Sequence, residues 1–541
     1  MLIGETTISQ PLDRVCTALA AAAGIILLAI RRWMLVGSFP PGLDGAQWLA
    51  LGRGLNGQAI GRSTDGAYAP LVPLLATIAE SIAGPLLAVR ILAAASGLAV
   101  SLAVWFVARG ALGPVWGLVV TAIVIPASAL AEPMLFGGYP QQFSLAAGIV
   151  ALWAVCHYLV RSSSDEQSEP PEDPQAQRVA SSPSSTGEGS AVREYRRDTK
   201  WSSKFRMTGN LKALVLAGTT AFIAAAAHHV YFPVVTLAIL TAVGLWLGVS
   251  SPKSDLARII GSLALALTPA VAIFATVAFT FMRAGYAAPL DASTRSFVDA
   301  WEYGTRESPE LWLVILAIGA VGLAIRRGMR GGSGWLFAAS LLVPAGLLFL
   351  LSGQPRLLPL ILIGAGIAAG LCASWVASLG PRTHAAALLL AFAIATTLVV
   401  PADQATSRFA DFYRVVDESL MGAAAAIESD SSFGAVAVRK DRRGWPVGWW
   451  FEALLDRPVI VGSDPEWLAF PEEREHARQA ESLFDGGLDA ETFQQRAMAS
   501  GVGYLVVAKW DWIGWERWVN TPGFPIAEIY DDDRYLVLRV T

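Results

Sequence analysis

One acidic residue, Asp44, stands in the stretch Pro40-Pro41-Gly42-Leu43-Asp44-Gly45-Ala46-Gln47-Trp48, between turn-forming residues and directly after the first long apolar segment. A carboxylate at such a boundary, with water on one side and apolar walls on the other, suits a general base. The competing reading is an Asp that caps the helix beginning near Gly45. A second carboxylate, Glu132, ends a later apolar segment in Ala131-Glu132-Pro133-Met134-Leu135-Phe136-Gly137-Gly138-Tyr139-Pro140-Gln141-Gln142. It either faces Asp44 or is an interfacial charge. Gly137-Gly138 permits close backbone approach, with Tyr139 and Gln141 as hydrogen-bonding groups beside it; otherwise the stretch is a plain turn.

Three further positions bear on anions. His228 and His229 are adjacent and so do not share a helix face, which argues against a metal site made from the two alone. One of them can bind phosphate or, with Asp44 or Glu132, a divalent cation; the alternative is a pair of ordinary interfacial histidines. Arg356 is the single cation in the short turn Ser352–Arg356 between two apolar segments. It either snorkels to headgroups or grips a phosphate through its planar fork. Arg90, near the start of another span, is a second phosphate candidate. The loop Arg283–Glu310 holds Asp291, Arg295, Asp299, Trp301, Tyr303 and Arg306, and is either an acceptor-binding segment or a solvated connection.

The elements that must position these residues are mostly membrane spans. The chain has 541 residues, 54% hydrophobic and 16% charged, whereas soluble domains carry roughly a quarter charged residues. A net charge of −4 argues against a nucleic-acid partner. The three cysteines, Cys16, Cys156 and Cys372, fall in apolar segments and form no metal pattern. A crossing needs about 20 apolar residues, and eleven spans are expected: 14–36, 86–109, 113–131, 140–160, 211–228, 231–250, 257–282, 310–326, 334–351, 356–379 and 384–401. The piece Tyr68–Gly84, interrupted by Pro70 and Pro73 and carrying Glu80, reads as an interfacial or re-entrant helix. Arg31-Arg32-Trp33 stands where a signal peptide would carry a cleavage site, so the first segment reads as a retained span.

A basic cluster from Arg193 to Lys212 runs into the fifth span and places 161–210 in the cytoplasm. That loop is rich in Ser, Pro, Glu and Gln and is expected to be disordered. The division is therefore a transmembrane domain over 1–401, with a first outer loop at 37–85, and a small extracytoplasmic α/β domain over 402–541. In the latter, strands are expected at 434–438, 458–461, 503–508 and 534–540, and helices at 411–427 and 473–484. Its Trp-rich pieces, Trp445–Trp450 and Trp510–Trp518, either rest on the membrane interface or line a sugar site.

Several of these pieces together resemble the GT-C superfamily of polytopic membrane glycosyltransferases, which includes protein O-mannosyltransferases, aminoarabinose transferases and oligosaccharyltransferases. They are Pro41-Gly42-Leu43-Asp44 with a helix ending Arg53-Gly54-Leu55, then Tyr68-Ala69-Pro70-Leu71, then Ala88-Val89-Arg90. His228-His229, Gln354-Pro355-Arg356-Leu357-Leu358-Pro359, Gly448-Trp449-Trp450 and Arg457-Pro458-Val459-Ile460-Val461-Gly462 complete the likeness. Gln47-Trp48 departs from it, standing where a tyrosine-like aromatic is more usual, and the motifs single out no subfamily. The resemblance implies a mostly α fold of about eleven transmembrane helices with a small C-terminal α/β domain. It implies an inverting transfer of a hexose or pentose from a polyprenyl-phosphate-linked donor to a glycan, lipid or protein acceptor at the outer face of a bacterial plasma membrane.

In that scheme Asp44 matches the first-loop carboxylate that acts as base or acceptor-orienting group. Glu132 is the second acidic residue, Tyr139 and Gln141 touch sugar, and His228, His229, Arg356 and Arg90 attend the phosphate. No Walker loop, dinucleotide fingerprint, nucleophile elbow or HExxH helix occurs, which disfavours an ATP-driven pump. A flippase of lipid-linked glycans and a non-catalytic envelope scaffold are the remaining alternatives.

Overall fold

A computed structural model describes residues 10–55, 67–167, 210–249, 256–286 and 332–541. The expected span 310–326, the loop residues from Asp291 to Arg306 and most of the loop 161–210 lie outside these. The helical part comprises α1 (Gln10–Val36), α2 (Asp44–Leu55), α3 (Leu71–Ala83), α4 (Pro85–Val124), α5 (Ser128–Phe136) and α6 (Tyr139–Gln167). It continues with α7 (Asn210–Ala227), α8 (Tyr231–Val249), α9 (Leu256–Arg283), α10 (Ser333–Ser352), α11 (Leu358–Ala377) and α12 (Pro381–Tyr413). Among the described residues eight helices are long and apolar enough to cross a membrane. Every expected span within the described residues falls on helix, with one interruption at residues 125–127 inside 113–131.

Two of those spans meet inside α4. Gly113 has φ +79° and precedes Pro114, and a Cβ on Gly117 would lie 2.6 Å from the Arg109 Cα. Residues eight apart along a straight helix are about 12 Å apart, so the chain doubles back at Gly113. The returning limb stops at Val124, well short of the expected 131, because the chain breaks at Ile125-Pro126 before α5 begins. Limb and α5 together rise about 30 Å, one bilayer core. The crossing is thus a broken helix, and its second half delivers Gly137 to the start of α2.

The described part of the segment 37–85 does not cross. The 13-residue α3 is about 20 Å long, too short for a span. It lies against α2, where a Cβ on Gly52 would meet the Pro73 carbonyl at 2.6 Å. Glu80, the charge that argued against a crossing, accepts from Arg53 Nε at 2.9 Å.

The last span does not end where the composition changes. α12 runs on through Pro401 to Tyr413. The helix expected at 411–427 is two pieces, because Arg414–Asp417 leaves helical geometry and buries Val415 and Val416. α13 (Glu418–Ser429) then starts on an Asp417 cap that accepts from the Leu420 N–H at 2.9 Å.

Beyond it come β1 (Ala435–Val438), α14 (Gly448–Leu454), β2 (Val459–Val461), α15 (Pro471–Leu483), α16 (Ala490–Ala499), β3 (Val502–Ala508), α17 (Trp515–Asn520), β4 (Ile526–Asp531) and β5 (Tyr535–Val540). They form a mixed five-stranded sheet in the order β2-β1-β3-β5-β4. β2, β1 and β3 are parallel, and β5 and β4 add antiparallel edges. β1 is buried at all four residues, as a central strand covered on both faces must be.

The sheet is not a separate globule. One apolar core runs from Leu49 and Leu51 of α2, Val89 of α4 and Met134 of α5 to Trp449 and Trp450 of α14, Val436 of β1 and Val537 of β5. Trp450 is fully buried and its indole N–H donates to the Gly42 carbonyl at 3.0 Å. The Trp445–Trp450 piece therefore neither rests on lipid nor lines an open sugar site. It is the joint between the sheet and the segment that carries Gly42 and α2.

Candidate functional site

The start of α2 and the end of α5 meet backbone to backbone. A Cβ on Gly137 (φ +102°) would sit 2.4 Å from the Gly45 nitrogen and 2.9 Å from the Asp44 Cβ. A Cβ on Gly42 (φ +111°) would sit 2.8 Å from the Phe136 carbonyl carbon. Trp48 closes the joint by donating its indole N–H to the Gly137 carbonyl at 2.6 Å. Trp48, where the sequence departs from the family pattern, thus has a clear positional task.

Asp44 lies in this joint. Its carboxylate makes no hydrogen bond among the described residues, so it does not cap α2. It is surrounded by protein yet keeps part of its surface open. Burial pushes its carboxyl up to about 7, and the charge of Arg356 pulls the other way. Tyr139, the first residue of α6, is completely buried beside it. Its hydroxyl is 3.0 Å from the position of a Cβ on Gly45 and makes no hydrogen bond among the described residues. Gln141 is buried in the same first turn of α6. The neighbouring Gln142, to which the sequence reading assigned nothing, donates to the Leu130 carbonyl at 2.6 Å and ties α6 to α5.

Arg356 sits in the short 3₁₀ turn Pro355–Leu357, with its side chain exposed. Tyr231, at the start of α8, holds that turn by donating its hydroxyl to the Arg356 carbonyl. His228 and His229 stack on each other, 5.0 Å between ring centres, in the α7–α8 connection. His228 Nδ1 accepts from the Val230 and Tyr231 N–H groups at 3.1 and 3.2 Å. Its proton must therefore be on Nε2, which remains a donor. Burial, then His229 and Arg356, hold His228 well below the ordinary imidazole value; burial and Arg356 lower His229 to about 4. Both are neutral at pH 7.

Glu132 accepts from the Tyr413 hydroxyl at 2.9 Å, and its charge and that of Arg356 both act on Tyr231. Tyr413 in turn stacks on Trp445 of the α/β unit. Neither Tyr231 nor Tyr413 carries any sequence signal, since each acquires its role only when distant segments meet. Arg90 is placed apart: it lies on the flank of α4, its guanidinium 4.3 Å from the Trp33 ring centre, while Val89 faces Gly45. Asp44, Tyr139, Arg356, the two histidines and Glu132 thus form one linked neighbourhood. Among the described residues no three His, Cys, Asp or Glu side chains are grouped to hold a metal ion.

No protein-family model matches the sequence, and no curated protein matches it. Solved structures do. ArnT from Cupriavidus metallidurans in the apo state superposes with a TM-score of 0.56 at 12% identity, covering 96% of this chain and 98% of that one. The same protein bound to undecaprenyl phosphate gives 0.52 at 13% identity, covering 96% and 97%. The archaeal oligosaccharyltransferase AglB from Archaeoglobus fulgidus, in complex with an inhibitory peptide and a dolichol-phosphate, gives 0.54 at 13% identity, covering 92% of this chain and 70% of that one. The chain has the polytopic GT-C fold of these proteins.

Proposed function

We propose that this GT-C-fold chain is a membrane glycosyltransferase that moves a sugar from a polyprenyl-phosphate-linked donor to an acceptor at the outer face of the plasma membrane, with its α/β unit on that same side. The observation that carries the reading is a carboxylate surrounded by protein, Asp44, raised in pKa, with the cation Arg356 near enough for its charge to act on it. Asp44 and Arg356 come from segments over 300 residues apart, and the charge of one acts on the other. Likeness to folds solved with undecaprenyl phosphate and with dolichol-phosphate supports the lipid-phosphate donor.

A hydroxyl is a poor nucleophile at neutral pH. Asp44 takes the acceptor proton as its oxygen bonds to the anomeric carbon. The bond from that carbon to the phosphate oxygen breaks, and its electron pair stays on the phosphate. A single displacement inverts the anomeric centre. General-base assistance of this kind is worth about 10²–10⁴-fold. The departing phosphate gathers charge, which Arg356 meets through its fork and His228 through its Nε2–H. Tyr139 and Gln141 bind sugar hydroxyls, and Glu132, oriented by Tyr413, holds the acceptor.

The test is release of undecaprenyl phosphate from a panel of undecaprenyl-phosphate hexoses and pentoses by the chain in nanodiscs, given a membrane-extract acceptor. Turnover by the wild type and none by a folded, inserted Asp44→Asn variant is expected. Full turnover by that variant would refute the assignment. Movement of labelled lipid across proteoliposomes without transfer would favour a flippase instead.

A further inference from the structure

The connection from β2 to α15, residues 462–470, touches both sides of the Asp44 neighbourhood. Its first half is tied to the end of β1. The Gly462 N–H donates to the Val438 carbonyl at 2.7 Å and the Asp464 N–H to the Gly444 carbonyl at 2.9 Å. Lys440 Nζ donates to Asp464 Oδ1 at 2.6 Å. Its last residue, Phe470, is fully buried, with the ring centres of Tyr68 and Phe281 5.3 and 5.0 Å away. The Ala469 and Phe470 N–H groups donate to Glu473 Oε2 at 3.1 and 3.2 Å, which fixes the start of α15. A loop clamped at both ends holds what it carries in one place.

Between the clamps lies the turn Pro465–Trp467, all of it exposed. Trp467 is 43% exposed, and its ring stands edge-on to Trp445 with 6.2 Å between centres. Trp445 stacks on Tyr413, whose hydroxyl donates to Glu132. At the other clamp Phe281 lies 4.2 Å from the His229 ring centre, and Tyr68 accepts from Gln47 of α2 at 3.2 Å. The connection therefore runs from the Glu132 side of the neighbourhood to the histidine side. It leaves the carboxyl end of β2, and open α/β sheets bind ligands beyond the carboxyl ends of their parallel strands.

The chemistry around Trp467 selects what lies on it. A sugar ring has an apolar C–H face that suits an indole, and a rim of hydroxyls. The surround of Trp467 is charged: Glu466 is exposed, Asp464 half-exposed, and the Arg443 guanidinium lies 3.5 Å from the Trp445 ring centre. An acyl chain would strip water from these charges without replacing it, whereas hydroxyls bond to carboxylates. We propose that Trp467 is an acceptor-binding residue and that the acceptor is a glycan, one ring of which lies on the indole while Glu466 and Asp464 accept from its hydroxyls. The assignment rests on the transferase reading, and of the glycan, lipid and protein acceptors that reading leaves open it chooses the first.

The experiment is saturation-transfer NMR on the full chain in nanodiscs, without donor. The probes are mannotetraose, galactotetraose and arabinotetraose in turn, and a serine-containing hexapeptide. At least one oligosaccharide should receive saturation at its ring C–H protons. Trp467→Ala should weaken that binding about tenfold, Trp467→Phe should keep most of it, and Asp44→Asn should leave it intact. Glu466→Gln, at an exposed side chain, gives a second reading should Trp467→Ala not fold, and should weaken the same binding. In the transfer assay Trp467→Ala should raise KM for the acceptor more than it lowers kcat. Binding of none of the three oligosaccharides, or equal binding by Trp467→Ala and Glu466→Gln, would overturn the glycan site even where the wild type turns over. Hexapeptide binding that is lost in Trp467→Ala would overturn the glycan class in favour of a peptide. Oligosaccharide binding through Trp467 in a chain that transfers nothing would uphold the glycan site and count against the transferase reading.

Discussion

Asp44 makes no hydrogen bond among the described residues and has a carboxyl pushed up to about 7, so its ionisation falls inside the physiological range. The ionised form is the base, so kcat/KM should rise with pH through about 7 and then level off. Arg356 favours the charged carboxylate. Replacing it in Arg356→Gln should shift the acidic limb to higher pH as well as slow the reaction, and a pH–rate profile of both proteins reads this directly. A limb that stays put would mean Arg356 acts on the substrate alone. Tyr413→Phe removes the hydroxyl that donates to Glu132. It should raise KM for the acceptor more than it lowers kcat, with the Asp44 limb unmoved. The setting of the two histidines was legible only in part. Their types could be read from the sequence, but the backbone N–H pair that fixes the His228 tautomer could not, because it depends on how α8 begins.

At the scale of elements, the glycine joint between α2 and α5 makes the sharpest demand. Gly137→Ala would add a Cβ 2.4 Å from the Gly45 nitrogen at a φ that side chains rarely adopt. The strain alone costs about 1–3 kcal/mol, and the clash must also part Asp44 from its surroundings. A lowered melting temperature in detergent together with lost transfer is expected; a neutral outcome would show that the joint yields. Sequence periodicity found the spans well because a bilayer imposes one length and one polarity on each. It placed β1, β2, β3 and β5 through their β-branched runs. It missed β4, whose Ile526–Asp531 is a half-exposed edge with no buried stripe. It also missed α14, whose three large aromatics look like an interfacial patch until α2 is laid against them. The break at Pro126 went unseen because apolar residues continue on both sides of it.

For the whole molecule, sheet and bundle share one interior. Trp450→Ala would empty the joint and should cost about 3–5 kcal/mol, whereas Trp450→Phe should cost only about 1 kcal/mol for the lost bond to Gly42. Both values are readable from denaturant or thermal melts, and both variants should disturb transfer because α2 carries Asp44. Two separate transitions in the wild type, one for the sheet and one for the helices, would contradict the shared core.

That shared interior also decides where this protein can be recombined. A chimera joined near residue 401 would cut through the continuous helix α12 and give the new sheet a foreign α2 to sit on. Its Trp450 counterpart would then need the carbonyl of a Gly42 it did not evolve beside. Exchange of acceptor-side modules between relatives should therefore succeed only when the segment from Gly42 to Leu55 travels with the C-terminal half, as a cassette in two pieces.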